Sequence, residues 1–203
     1  MADDLYKTID KESEGIYKEK GSKFISYAFP VTSEEEVKEK IADLKKKYYD
    51  ARHHCYAYML GHERNNFRAV DDGEPSSTAG KPILGQILSK EITNVVIVVV
   101  RYFGGTKLGV GGLINAYKSA ALDAIENNEI IEKTLDAYFR IEYDYLRMNA
   151  VMKVIKDESL DVQKQDFGNL CSMEIRVRES EYARILSKIE KLGEVSIDLL
   201  RIA

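Results

Sequence analysis

The sequence predicts an α+β fold in two domains, and three patterns carry that expectation. Residues 135–203 read in the order β-α-β-β-α-β, the split βαβ arrangement of ferredoxin-like sandwiches. Val95–Val100 is six β-branched residues in a row, bounded by Asn94 and Gly104 and followed by an alanine-rich helical stretch. A run of this kind suits a central strand buried on both faces. No internal repeat, low-complexity tract or long linker interrupts the 203 residues, so two directly adjoining domains are expected, 1–134 and 135–203.

The first domain opens with strand character over Tyr17–Val31, where Phe24, Ser26, Ala28 and Phe29 precede Pro30. Ser33 and Glu36 form a capping box, and Val37, Ile41, Leu44 and Tyr48 follow at helical spacing. His54, Tyr56, Tyr58 and Leu60 alternate with Cys55, Ala57 and Met59, giving a strand that ends near Gly61. Asp71–Gly80 is turn chemistry, and a short helix is expected over Pro82–Leu88. A further helix from Gly112 carries Leu113, Ala116, Ala120, Ala121 and Ala124 on one side, small enough to sit close to a sheet, and stops at Asn127-Asn128.

The second domain restarts the pattern. Ala137, Phe139, Ile141 and Tyr143 alternate as a strand, and Met148, Val151, Met152 and Ile155 make one helical face. Leu160–Gln165 and Leu170–Val177 are strands joined through Gly168-Asn169, a hairpin signal. Tyr182, Ile185, Leu186, Ile189 and Leu192 form a second helix ended by Gly193, and Val195, Ile197 and Leu199 alternate after it.

Net charge is −4, which gives no global electrostatic signature for nucleic acid. Locally the balance reverses: Pro75–Ala120 holds Lys81, Lys90, Arg101, Lys107 and Lys118 against Glu91 alone. That stretch points either to an anionic partner or to an ordinary solvated face. Cys55 and Cys171 are too few and too far apart for a disulfide framework, so reduced thiols are expected. The acidic start Met1-Ala2-Asp3-Asp4 lacks an apolar segment behind it, and no run is long enough to span a bilayer. A cytoplasmic location without membrane association follows as the expectation.

Several residues invite chemical readings. His53 and His54 are adjacent in a strand and face opposite ways, so they do not share a metal; Cys55, on the face of Ala57 and Met59, reads as a buried inert thiol. Asp71, Asp72 and Glu74 put three carboxylates in four residues, which either bind Mg²⁺ or form a turn whose side chains accept from backbone amides; with His53 they make a candidate polar site. Ser76, Ser77 and Thr78 either cap a helix starting near Ala79 or meet an anion there. The segment Gly104, Gly105, Thr106, Lys107, Leu108, Gly109, Val110, Gly111, Gly112 matches neither Walker A nor the dinucleotide fingerprint. It still leads into a helix N-terminus, where free N–H groups favour an anion and Arg101 and Lys107 supply charge. Packing alone would also explain such glycines. No nucleophile–base pair is visible, and no cofactor or metal is assigned.

These segments resemble the IMPACT family, in its two-domain bacterial form of the YigZ type. The resemblance rests on Asp71–Gly80 (Asp-Asp-Gly-Glu-Pro-Ser-Ser-Thr-Ala-Gly) and Arg101–Leu113, with earlier blocks at Lys20–Phe24 and Ala51–Tyr58. It implies an N-terminal domain with the left-handed βαβ fold of a ribosomal small-subunit protein and GHMP kinases. It also implies a C-terminal ferredoxin-like domain similar to small domains of elongation factor G. In eukaryotic relatives the domain competes for an activator of a starvation-responsive translation kinase. A non-enzymatic binding role in translation is therefore expected, with RNA, ribosome or a translation-related protein as partner. The alternative is a Mg-dependent nucleotide- or phosphate-binding enzyme using the glycine-rich loop. Two positions depart from the family pattern: Ser77 stands where Gly is usual, and Asn115 where Arg is common.

Overall fold

The computed structural model describes residues 4–168 and 170–202. The chain divides into two compact units, Tyr6–Lys133 and a later one formed by Thr134–Ala203 with Met1–Leu5. The fold is α+β, with three sheets and five α-helices among the described residues. None of those helices is long and apolar enough to cross a membrane.

In the first unit, β1 (Leu5–Ile9) and β7 (Ile130–Thr134) pair as a two-stranded ribbon. The main sheet has five strands in the order β2-β3-β6-β4-β5: β2 (Ser13–Glu19), β3 (Ser22–Pro30), β4 (His53–Leu60), β5 (Asn66–Val70) and β6 (Val95–Tyr102). All of its neighbouring strands pair antiparallel. As its composition demands, β6 is central, with Val95–Val100 fully buried. Helix α1 (Glu34–Lys47) covers one face through Val37 and Leu44, against Tyr27, Phe29, Tyr58, Val96 and Val98. Helices α2 (Gly80–Ser89) and α3 (Gly109–Glu126) cover the other with Ile83, Ile87, Ala116, Tyr117 and Ala120.

The capping box forms with one change. Ser33 Oγ accepts from the Glu36 amide, while the Glu36 carboxylate reaches back to the Thr32 amide at 2.6 Å. Strand character over Tyr17–Val31 resolves into two strands joined by a two-residue turn, Lys20 (φ 45°) and Gly21 (φ 82°). Helix α3 starts at Gly109, three residues before the expected Gly112. Strands β1, β5 and β7 were not legible, because Asn66–Val70 and the ribbon strands are short and lack a sustained apolar alternation.

Small residues on α3 let it lie against β2 and β3. Ser26 Oγ donates to the Ala120 carbonyl and Ser13 Oγ to that of Ala124, both at 2.6 Å. A side chain at Gly15 would stand 2.4 Å from the Ala124 amide nitrogen. Asp123 accepts from the Ile16 amide at 2.7 Å, and Asn127 donates to the Glu14 carbonyl, so α3 satisfies the outer edge of β2 that would otherwise be free to pair.

The second unit contains β8 (Asp136–Tyr143), a 3₁₀ turn (Tyr145–Arg147), α4 (Met148–Asp157), β9 (Asp161–Phe167), β10 (Cys171–Arg178), α5 (Glu179–Glu190) and β11 (Val195–Ile202). Its sheet order is β11-β8-β10-β9, and Phe139, Ile141, Val151, Met173, Ile175 and Ile185 form its core. Asn169 of the expected hairpin turn lies outside the described residues. Asp4 and Leu5, which the sequence assigns to the first domain, group here. The buried Asp4 carboxylate accepts from Arg178 Nη2 at 3.0 Å and from Ser180 Oγ at 2.5 Å.

Glycine substitutions test the packing. Gly15→Ala is expected to destabilise by about 1–3 kcal/mol, because the backbone of α3 blocks the new methyl. Gly85→Ala, in α2 with open space around it, is expected to stabilise by ~0.5–1 kcal/mol. Urea unfolding of the two variants measures both signs.

Candidate functional site

The candidate site lies where β4 begins and β6 ends. The register sets His53 opposite Arg101, and Phe24 of β3 opposite Arg101 on its other side. The turn Asp71–Gly80 folds over this edge, and its three carboxylates take three different partners. Asp71 accepts from the amides of Ser77 (2.7 Å), Ala79 (3.0 Å) and Gly80 (2.8 Å). Asp72 accepts from the His54 amide at 2.7 Å and lies 3.7 Å from Lys45 Nζ. Glu74 accepts from Arg101 Nη1 at 2.5 Å and from the Tyr117 hydroxyl at 2.8 Å. The convergence a Mg²⁺ site requires is absent: no group of three His, Cys, Asp or Glu gathers at such a point among the described residues.

Asp71 therefore caps α2 from outside the helix. Its N-cap residue, Ala79, offers no side-chain bond, so the first amides find their acceptor eight and nine residues upstream. The expected cap by Ser76–Thr78 is corrected accordingly: the buried Thr78 hydroxyl donates to the Pro75 carbonyl, and Ser76 is exposed. Ser77 adopts φ 65°, the left-handed conformation that favours glycine, which accounts physically for glycine being usual there. Its amide is aimed at Asp71 by that conformation.

Arg101, expected to offer charge to an anion, is instead internally paired. Its side chain is 7% exposed and that of Glu74 4%. The guanidinium carbon lies 5.4 Å from the Phe24 ring centroid and 5.7 Å from that of Phe103. Nε is buried without a hydrogen-bond partner. Tyr117 is fully buried behind the pair and packs edge-on against Phe24. Cys55 Sγ lies 2.9 Å from the Asp71 carbonyl and 3.3 Å from the Tyr117 hydroxyl; burial pushes its thiol well above the usual range, so it is no nucleophile.

His53 Nδ1 is 2.9 Å from the Asp72 carbonyl, which only accepts, so Nδ1 carries the proton and Nε2 is the free nitrogen. His54 faces the other way and is buried. Burial holds its pKa below the ordinary 6.5 against the opposing pull of Asp72. A cleft of about 400 Å³ opens beside these residues, lined by Asp50, Arg52, His53, Arg101, Tyr102 and Phe103. The Tyr102 hydroxyl donates to Asp50 at 2.7 Å.

Beyond β6 the chain turns away through glycine. The Gly104 amide donates to Ser22 Oγ at 3.1 Å, and a side chain on Gly104 would stand 1.9 Å from the Gly21 carbonyl carbon. Two backbones cross there with no room for a methyl group. Gly105 and Gly109 are left-handed, whereas Gly111 and Gly112 lie inside the first turn of α3. That helix end has no side-chain cap, and Phe103, Lys107 and Val110 are exposed around it.

Sequence reasoning missed the basic cluster at this end of the sheet. Lys18 and Lys23 are directly paired across β2 and β3, Lys20 is in their turn, Arg52 precedes β4, and Lys107 follows β6. All five are exposed, and none forms a salt bridge among the described residues. Like charges directly opposite on a sheet are destabilising, and a lysine at positive φ adds roughly 1 kcal/mol of strain. Only hairpin register, not the sequence interval, brings Lys18–Lys23 beside Arg52 and Lys107.

Comparisons with known proteins give a consistent family. The family model described as Impact N-terminal domain matches residues 20–125. IMPACT family member YvyE of Bacillus subtilis is 32% identical over 160 residues, covering 79% of this chain and 74% of that protein. An IMPACT family member of Haemophilus influenzae is 32% identical over 190 residues, with 90% and 91% covered. A crystal structure of a hypothetical protein shares the fold, with a TM-score of 0.73 at 24% identity and 98% of each chain covered.

The clamp yields two predictions. Glu74→Ala is expected to destabilise by about 3–5 kcal/mol, since it strands a buried guanidinium, and Glu74→Leu combined with Arg101→Met is expected to recover most of that loss in chemical denaturation. The second concerns pH. Burial acts to raise the Asp71 pKa, but the amides of Ser77, Gly80 and Ala79, with Lys81, outweigh it and hold it below its ordinary value. The resulting stability is complete above the unfolded-state pKa and fades as pH falls through the folded one. His54 acts in the same direction at higher pH, because the unfolded chain takes up its proton first. Asp71→Asn is expected to lower neutral-pH stability by about 1–3 kcal/mol and flatten the more acidic limb of a stability–pH curve.

Proposed function

Because the chain belongs to the IMPACT family, we propose that it is a non-enzymatic binding protein of the translation apparatus, contacting RNA on the ribosome or free of it. The observation that carries this reading is the unpaired basic cluster Lys18, Lys20, Lys23, Arg52 and Lys107 at one end of the five-stranded sheet. In a protein of net charge −4, five exposed cations at this end form no salt bridge among the described residues. The cluster sits beside exposed Phe103 and Val110 and the uncapped amides of α3. Cations attract the phosphate backbone, exposed rings stack on bases, and the N–H groups at the start of α3, which no side chain caps, donate to phosphate oxygens.

The domain description implied by the family resemblance fits the same role. The β-α-β-β-α-β order and the sheet order β11-β8-β10-β9 support a ferredoxin-like second domain of the elongation-factor type. The carboxylates that a magnesium-dependent enzyme would use are each occupied within the fold, which favours binding over phosphoryl chemistry.

Purified protein is expected to bind ribosomes or single-stranded RNA with an affinity that falls steeply with salt. Lys20→Glu, Lys23→Glu and Lys107→Glu together are expected to weaken binding at least about tenfold and to reduce the salt slope by roughly 0.7–1 for each cation lost. Filter binding at several salt concentrations measures both. A salt-independent affinity, or one untouched by the triple variant, would count against RNA and leave a protein partner.

A further inference from the structure

We propose that the cleft at the sheet end where β4 begins and β6 ends is a pocket for a phosphate monoester, the group found on a nucleoside monophosphate or at a phosphorylated end of RNA. The inference deepens the RNA-binding reading and partly rests on it; it shares Arg52 with the basic cluster and adds His53 and Arg101. The exposed lysines track a chain of phosphodiesters. The cleft instead gathers Arg52, His53 and Arg101 around one half-open space of about 400 Å³, a volume suited to a mononucleotide.

Three features make this a built pocket. First, Arg101 is more than nine-tenths buried yet lines the cleft, held by Glu74 through Nη1 and flanked by Phe24 and Phe103. Its position is set before any ligand arrives, and its buried Nε lacks a partner. Second, the Asp72 carbonyl fixes the His53 ring through Nδ1, leaving Nε2 without a partner among the described residues. That nitrogen accepts from a ligand hydroxyl. Third, Arg52 is exposed at the mouth and forms no salt bridge among the described residues, while the competing carboxylate of Asp50 is engaged by Tyr102.

The terminal dianion suits this arrangement better than a diester. Glu74 offsets most of the Arg101 charge, so the cation left for a ligand is Arg52, with the ring of His53 held in place beside it. A monoester concentrates up to two charges and three acceptor oxygens at one end, where a single arginine meets them, whereas a diester carries one charge between two ester links. Phe103, exposed at the rim, offers its outer edge to the attached base or sugar.

Isothermal titration of the full-length protein with adenosine 5′-monophosphate, adenosine and inorganic phosphate tests the pocket directly. The monophosphate is expected to bind at least about tenfold more tightly than adenosine, the equivalent of one charge-assisted hydrogen bond. Arg52→Ala, an exposed change whose folding circular dichroism checks, is expected to remove that preference, and the exposed Lys153→Ala in α4 to leave it unchanged. Equal affinity for adenosine and its monophosphate, no monophosphate binding, or a preference that survives Arg52→Ala would overturn the proposal.

A second measurement separates the pocket from the surface. A single-stranded RNA with a 5′-phosphate is expected to bind several-fold more tightly than the same RNA with a 5′-hydroxyl, and Arg52→Ala should equalise them. If both RNAs bind equally to the unaltered protein, a terminal RNA phosphate is not the ligand and the basic-surface reading stands. If neither binds while the monophosphate does, the pocket is a free-nucleotide site and the RNA reading falls.

Discussion

Arg101 and Glu74 face each other almost entirely out of water, and the surrounding arrangement depends on their doing so. Each charge loses several kcal/mol of hydration on burial, a loss that only a close, hydrogen-bonded partner offsets. Glu74 meets that need with Arg101 Nη1 and the Tyr117 hydroxyl. Such a pair adds little over a well-packed apolar replacement, so its effect is geometric. It ties the end of the central strand to the turn that follows β5, because neither loop can leave without stranding a charge.

Asp71 extends the same constraint. Its carboxylate gathers three amides that belong to a turn and to the start of α2, so the turn and helix are positioned as one piece. Ser77, whose amide donates to Asp71, is left-handed within that turn. On the other side of β6, Gly104 crosses the backbone of Gly21 at a separation that excludes any side chain. The cleft between Arg52 and Phe103 is what remains open between these fixed edges.

This arrangement separates charges that hold the fold from charges available to a partner. Glu74 and Asp71 are committed inward, Arg101 is held by Glu74 where it lines the cleft, and Cys55 and Tyr117 are buried behind them. Lys18, Lys20, Lys23, Arg52 and Lys107 remain in water without carboxylate partners among the described residues. The glycine-rich motif thus serves both ends: part of it is packing at Gly104, and part is an exposed helix start at Gly109–Gly112.

Much of the architecture is written in local pattern. The buried run Val95–Val100, the Ser33–Glu36 cap, the small face of α3 and the β-α-β-β-α-β succession each follow from neighbours in the chain, because periodicity and capping are short-range properties. The motif residues were legible too, and so was the reading of the Asp71 cluster as a turn that satisfies amides. Their individual partners were not. Whether Arg101 meets Glu74 or a ligand, and whether Lys18 to Lys23 stand beside Arg52, depends on hairpin register and on how loops close over a sheet end. Those are contacts between residues tens of positions apart, fixed by burial and backbone crossing. The sequence alone determined the α+β class and the family; only the tertiary structure decided which charges are paired inside and which face outward, because pairing is a property of distance in space.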